Sequence, residues 1–73
     1  MKLVIGGTYK HFKGNLYNVI DIALHCETLE EYVVYKSIEN GKTWIRPKNE
    51  FLSQVDHEKY PEISQQYRFE LVK

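Results

Sequence analysis

Leu16-Tyr17-Asn18-Val19-Ile20-Asp21-Ile22-Ala23-Leu24-His25-Cys26 carries apolar residues on both of its faces. At period two, Tyr17, Val19, Ala23 and His25 fall on one face, and Leu16, Ile20, Ile22, Leu24 and Cys26 on the other. A run apolar on both faces also suits a buried helix. Its β-branched residues and the short polar breaks at each end predict a strand instead. Asp21 interrupts the run and predicts a bend or bulge, so that the strand uses its two faces in turn.

The segments on either side repeat the strand-and-turn pattern. Upstream, Gly6-Gly7 and Lys13-Gly14-Asn15 are turn signals that bracket a strand over Thr8–Phe12. Downstream, the polar break Glu27-Thr28-Leu29-Glu30 precedes a strand over Glu31–Ile38. Asn40-Gly41 within Glu39-Asn40-Gly41-Lys42 then marks a hairpin, because both residues tolerate positive φ. Thr43–Arg46 is its returning strand. Pro47 suits the first position of a helix, where its missing N–H costs nothing. Phe51 and Val55 lie four apart with Leu52 adjacent, which predicts a helix of about two turns. The polar stretch 56–66 contains Pro61 and reads as a loop. Tyr67, Phe69 and Leu71 alternate with Arg68 and Glu70, as a closing strand with one apolar face does.

The expected architecture is mostly β: a small SH3-like, partly closed five-stranded barrel with one short helix before the last strand. A helix-capped open sheet ranks second. The 73 residues fit a single domain over 1–73, with no repeat or linker. A domain this small has one thin core, and a deep catalytic pocket would compete with it for large side chains.

Composition narrows the classes further. Ten Lys and Arg balance ten Asp and Glu, so the basic excess of a nonspecific nucleic-acid binder is missing. Charge clusters remain: Lys10, His11 and Lys13 lie together, as do Lys42, Arg46 and Lys48, while the acids gather elsewhere, at Glu27, Glu30 and Glu31 and then at Asp56, Glu58 and Glu62. These clusters predict a weak charge dipole. The one cysteine, Cys26, cannot form an internal disulfide and is expected to be a buried, inert thiol. Met1–Ile5 is too short for the apolar region of a signal peptide. No run approaches the roughly 18 apolar residues of a membrane span. The expected setting is the cytoplasm, without membrane association.

The run Gly7-Thr8-Tyr9-Lys10-His11-Phe12-Lys13-Gly14-Asn15 is followed by Tyr17, Val19, Ala23 and His25-Cys26-Glu27-Thr28. Val33-Val34-Tyr35, Trp44-Ile45-Arg46-Pro47 and Phe51 come after it. These residues resemble a family of small bacterial proteins classed as domain of unknown function 1653. The resemblance spans about Gly7 to Phe51, and more weakly the Arg68-Phe69 pair. It implies a compact β-rich fold and no established activity. Glu39 stands where the family pattern has tyrosine, in a hairpin one residue shorter. Glu50 stands where methionine is usual, and Tyr67 where proline is usual.

No motif assigns a reaction: there is no phosphate-binding glycine loop, nucleophile elbow or H-E-x-x-H. No spacing resembles a metal-ligand set, and no cofactor is expected. The candidate site is a set of aromatic and polar residues: Tyr9, His11, His25, Glu27, Tyr35, Trp44 and Arg46. Tyr9, His11 and Lys13 share one face of the first strand, and Trp44 and Arg46 share one face of the fourth. If His25 joins them, a stacking ring, a cation and a titratable imidazole lie within one ligand's reach. Each residue also has a plainer reading. Tyr17, Tyr35 and Trp44 could be half-buried core, and Arg46 could pair with Glu27 or Glu50. His25 could hydrogen-bond the turn that follows it, and Lys13-Gly14-Asn15 could be a simple turn.

The favoured function is a non-catalytic module that recognises a small molecule, nucleic acid or peptide on a His/Trp/Arg patch. One alternative is a structural or assembly domain, monomeric or weakly dimeric through strand edges. Another is a small enzyme, or an enzyme subunit, using His25 and Glu27 as acid and base.

Overall fold

The computed structural model describes residues 3–73. Five strands form one antiparallel sheet: β1 (Thr8–His11), β2 (Leu16–Leu24), β3 (Glu31–Ser37), β4 (Thr43–Pro47) and β5 (Phe69–Leu71). One helix, α1 (Lys48–Phe51), lies between β4 and β5. The strand order is β4-β3-β2-β1-β5. The first four strands form a meander, and β5 returns to pair with β1. The chain is therefore mostly β with one short helix, as expected. Closure is not: β4 and β5 are opposite edges, so the sheet is open. The helix-capped open sheet is the better description.

Curling of the sheet brings distant strands together on its concave side. Phe69 of β5 lies 5.4 Å from Tyr35 of β3 and 5.8 Å from Tyr17 of β2, ring centre to ring centre. Phe51, from α1, stacks on Phe69 at 4.0 Å and 7°. Its edges meet Tyr9 and Tyr35 at 5.5 and 5.3 Å. With Val19 and Val33, these aromatic residues make the core. The edge-to-face contacts add attraction beyond the buried area.

β2 carries the expected irregularity. Val19 pairs with Tyr35 and Asp21 with Val34, so the register shifts between Val19 and Asp21. The one unpaired residue switches the core-facing set from the odd positions Tyr17 and Val19 to the even Ile22, which pairs with buried Val33. A single extra residue does this because strand side chains alternate strictly.

β1 and β3 end one residue earlier than expected, at His11 and Ser37, and two elements end well short. β2 stops at Leu24, so His25 to Glu30 form the turn. His25 N–H donates to the Glu30 carbonyl at 2.9 Å, and Leu29 sits at φ 62°. Cys26 lies in that turn and is exposed, not the buried thiol expected. The helix has four residues rather than two turns. Ser53 stops it: its N–H and its hydroxyl both donate to the Glu50 carbonyl, at 3.1 and 2.5 Å. A hydroxyl that takes a helical carbonyl competes with further turns. Val55 is not helical but is buried all the same, because its N–H donates to the Gln66 carbonyl at 2.8 Å. That bond and the Gln54–Tyr67 bridge fold the 56–66 loop back over the sheet. No helix is long and apolar enough to cross a membrane among the described residues.

Candidate functional site

The concave face opens into a groove of about 510 Å³, at the end of the sheet where the β1–β2 and β3–β4 turns meet. Asn15 in the first turn donates to the Glu39 carboxylate in the second at 3.2 Å. Strand alternation aims Tyr17, Tyr35, Trp44 and Arg46 into the groove. His11 enters from the end of β1, and Phe12, Lys13 and Asn15 from the turn after it. The loop after α1 supplies Asp56, Lys59 and Tyr60, and Arg68 stands just before β5. Four cationic side chains thus face one carboxylate.

His11 is a half-buried titratable group on the groove wall. The Lys13 N–H donates to its Nδ1 at 3.1 Å, which puts the neutral ring's proton on Nε2. The ring packs edge-on against Phe69 at 4.9 Å and beside Phe12 at 4.4 Å. Burial, then the charges of Arg46, Arg68 and Lys13, hold its pKa down to about 4. It is a neutral donor at pH 7.

Both arginines are anchored by Nε to neutral oxygens. Arg46 donates to the Tyr35 hydroxyl at 3.3 Å, and Arg68 to the Ser53 hydroxyl at 3.2 Å. Arg46 also lies over the Phe69 ring at 5.8 Å. Its Nη1 reaches Glu50 only at 3.9 Å, and Glu50 is largely exposed. Such a pair contributes little. Among the described residues, no carboxylate lies within ion-pair distance of Arg68, Lys13 or Lys59. Lys13 lies over Tyr60 at 5.7 Å, and Phe12 packs against Tyr60 at 5.0 Å, closing one wall. Trp44 is 47% exposed on the other wall.

The structure therefore brings four of the seven candidate residues together: His11, Tyr35, Trp44 and Arg46. Tyr9 shares the inward face of β1 but is 2% exposed. It belongs to the core, and its hydroxyl accepts the Val4 N–H at 2.9 Å. His25 and Glu27 do not line the groove, which corrects the expected His25–Trp44–Arg46 surface. Trp44 pairs with Tyr35, and Tyr35 with Val19. Arg46 pairs with Val33, and Val33 with Ile22. The His25 turn lies beyond the far end of β2, about 20 Å along the sheet from the Trp44 row and about 10 Å from the Arg46 row, at about 3.3 Å per residue. There the His25 Nδ1 accepts the N–H groups of Glu27 and Thr28 at 3.2 and 3.3 Å. This is a turn cap on an exposed tip, not an acid–base pair in a cleft.

Asp56, Lys59 and Tyr60 were missed because they come from a loop whose position no periodicity encodes, and Arg68 because alternation put it opposite the apolar face of the closing strand, which begins only at Phe69. The Lys10, His11 and Lys13 cluster was the sequence signal for the cationic end. A second depression of about 350 Å³ beside Glu30, Glu31 and Lys48 has its cation committed: Lys48 lies 3.5 Å from Glu31. No group of three or more His, Cys, Asp or Glu side chains gathers as a metal site needs, among the described residues.

Residues 7–71 match the family model described as protein of unknown function (DUF1653). The chain belongs to that family. The DUF1653 match contains all five strands and every residue that lines the groove. No curated protein and no solved structure matches the chain.

Proposed function

We propose that this DUF1653 protein is a non-catalytic recognition module that holds a small anionic ligand in the concave groove. One observation carries the reading: four cationic side chains, three of them without a carboxylate partner among the described residues, converge with stacking rings on one cavity. Preorganised guanidinium and aromatic groups are the usual anchors of binding sites. The cavity volume lies within the range of small-molecule sites. The curled open sheet is read as a relative of the SH3-like barrel. The proposed setting is the cytoplasm, which suits a lone exposed thiol.

Trp44 is the only tryptophan, so its fluorescence reports on the groove directly. An anionic ligand should change that emission, and added salt should weaken the response. Arg46→Ala should lower affinity about tenfold while the protein stays folded at room temperature. Unchanged emission across a panel of phosphates, carboxylates and acidic peptides would remove the reading.

A further inference from the structure

We infer that the ligand is a phosphate monoester carried on a planar heterocycle, a mononucleotide in chemical class, with its phosphate among Arg46, Arg68, Lys13 and His11 and its ring against Trp44. The inference rests on the anion-recognition reading above and narrows it.

Charge is the first argument. Two guanidiniums and an ammonium surround a neutral imidazole, and among the described residues Asp56 is the one carboxylate on the groove wall. A single carboxylate ligand would leave cationic charge uncompensated. A phosphate monoester carries roughly −1.5 to −2 at pH 7 and offers three acceptor oxygens.

Donor geometry is the second. Each arginine is oriented through Nε by a hydroxyl. Among the described residues, the terminal nitrogens of Arg68 have no carboxylate partner, and those of Arg46 meet only the long Glu50 contact. Guanidinium forks of this kind suit phosphate, where a lysine acts only as a point charge. The His11 Nε2–H adds a neutral donor beside them.

The third argument is the wall. Trp44 lies two residues before Arg46, so the two share a face, and Trp44 is half exposed. An exposed indole beside a cationic cluster is a stacking platform for a base, an interaction worth about tenfold or more in affinity.

The phosphate could belong to a free mononucleotide or to the 5′ end of a strand. Calorimetry and Trp44 fluorescence on the full chain would compare adenosine 5′-monophosphate, adenosine, inorganic phosphate, a 5′-phosphorylated dinucleotide and a triglutamate peptide. The monophosphate should bind at least about tenfold tighter than either adenosine or phosphate alone. A dinucleotide that binds tighter still assigns a strand end, and one that binds more weakly assigns the free nucleotide. Arg68→Gln, and Lys13→Gln on the exposed turn, should each weaken the monophosphate about fivefold without shifting the melting temperature much. Glu50→Gln should strengthen it by removing the competing carboxylate. Monophosphate binding no tighter than phosphate, or unchanged in both cation variants, overturns the inference. If triglutamate binds and the monophosphate does not, the inference fails while anion recognition stands. If neither binds, both fail.

Discussion

His11 shows how much one side chain's surroundings decide. Its backbone belongs to β1, its Nδ1 is taken by the Lys13 N–H, and three cations face it. An unfolded histidine titrates near 6.5, whereas the folded one holds its neutral form down to about 4. Between those values the unfolded chain binds a proton that the folded chain refuses. His11 therefore leaves stability intact above about pH 6.5 and erodes it as pH falls toward 4. His11→Gln should flatten that fall: melts at pH 7, 5.5 and 4.5 should show the wild type losing stability faster than the variant. Parallel curves would mean that His11 is not held neutral. At this scale the sequence was partly legible. Period two put Trp44 with Arg46 and Tyr9 with His11, and both pairs share the concave face. It could not separate Tyr9, which packs under Phe51, from His11 one pleat further on. Nor could it show that His25 hydrogen-bonds its own turn, because that depends on β2 ending at Leu24.

At the scale of elements, the decisive features are the β2 irregularity and the single helical turn. The irregularity was legible, because Asp21 broke a run apolar on both faces. Helix length was not: Phe51 and Val55 are both buried at a spacing that suits a helix, but Ser53 takes the Glu50 carbonyl. Val55 is buried instead by the pairing that tethers the loop after the helix. The short helix thus has one function in packing, to place Phe51 on Phe69. Phe51 is fully buried, and Phe51→Ala should cost roughly 3–5 kcal/mol, a large share of the about 5–15 kcal/mol that holds a typical domain together. Urea unfolding would measure it. A midpoint unchanged within error would show that the stacked pair is not what holds the helix to the sheet.

Across the whole molecule, charges that cancel in the composition are unevenly placed: cations outnumber carboxylates around the groove. Glu27, Glu30 and Glu31 lie in or beside the β2–β3 turn, while Lys13, Arg46, Lys59 and Arg68 ring the groove at the other end. The charge clusters in the sequence anticipated this only in part: Lys48 pairs with Glu31, and Asp56, from the second acidic cluster, lines the groove. The open sheet did not follow from them, because closure depends on whether β5 reaches β4, and β5 has only three residues. Openness leaves the concave end free for the groove. The edges are modest: β5 is short, and Pro47, which has no N–H to offer, ends β4. The central claim is that this groove is where an anion binds. Amide and side-chain N–H chemical shifts of the ¹⁵N-labelled protein, titrated with inorganic phosphate against a chloride control of equal ionic strength, test it most directly. Shifts should concentrate at His11, Lys13, the Trp44 indole and the Nε–H groups of Arg46 and Arg68, with His25 to Glu30 unmoved. Shifts spread evenly over the surface, or centred on the His25 turn, would contradict it.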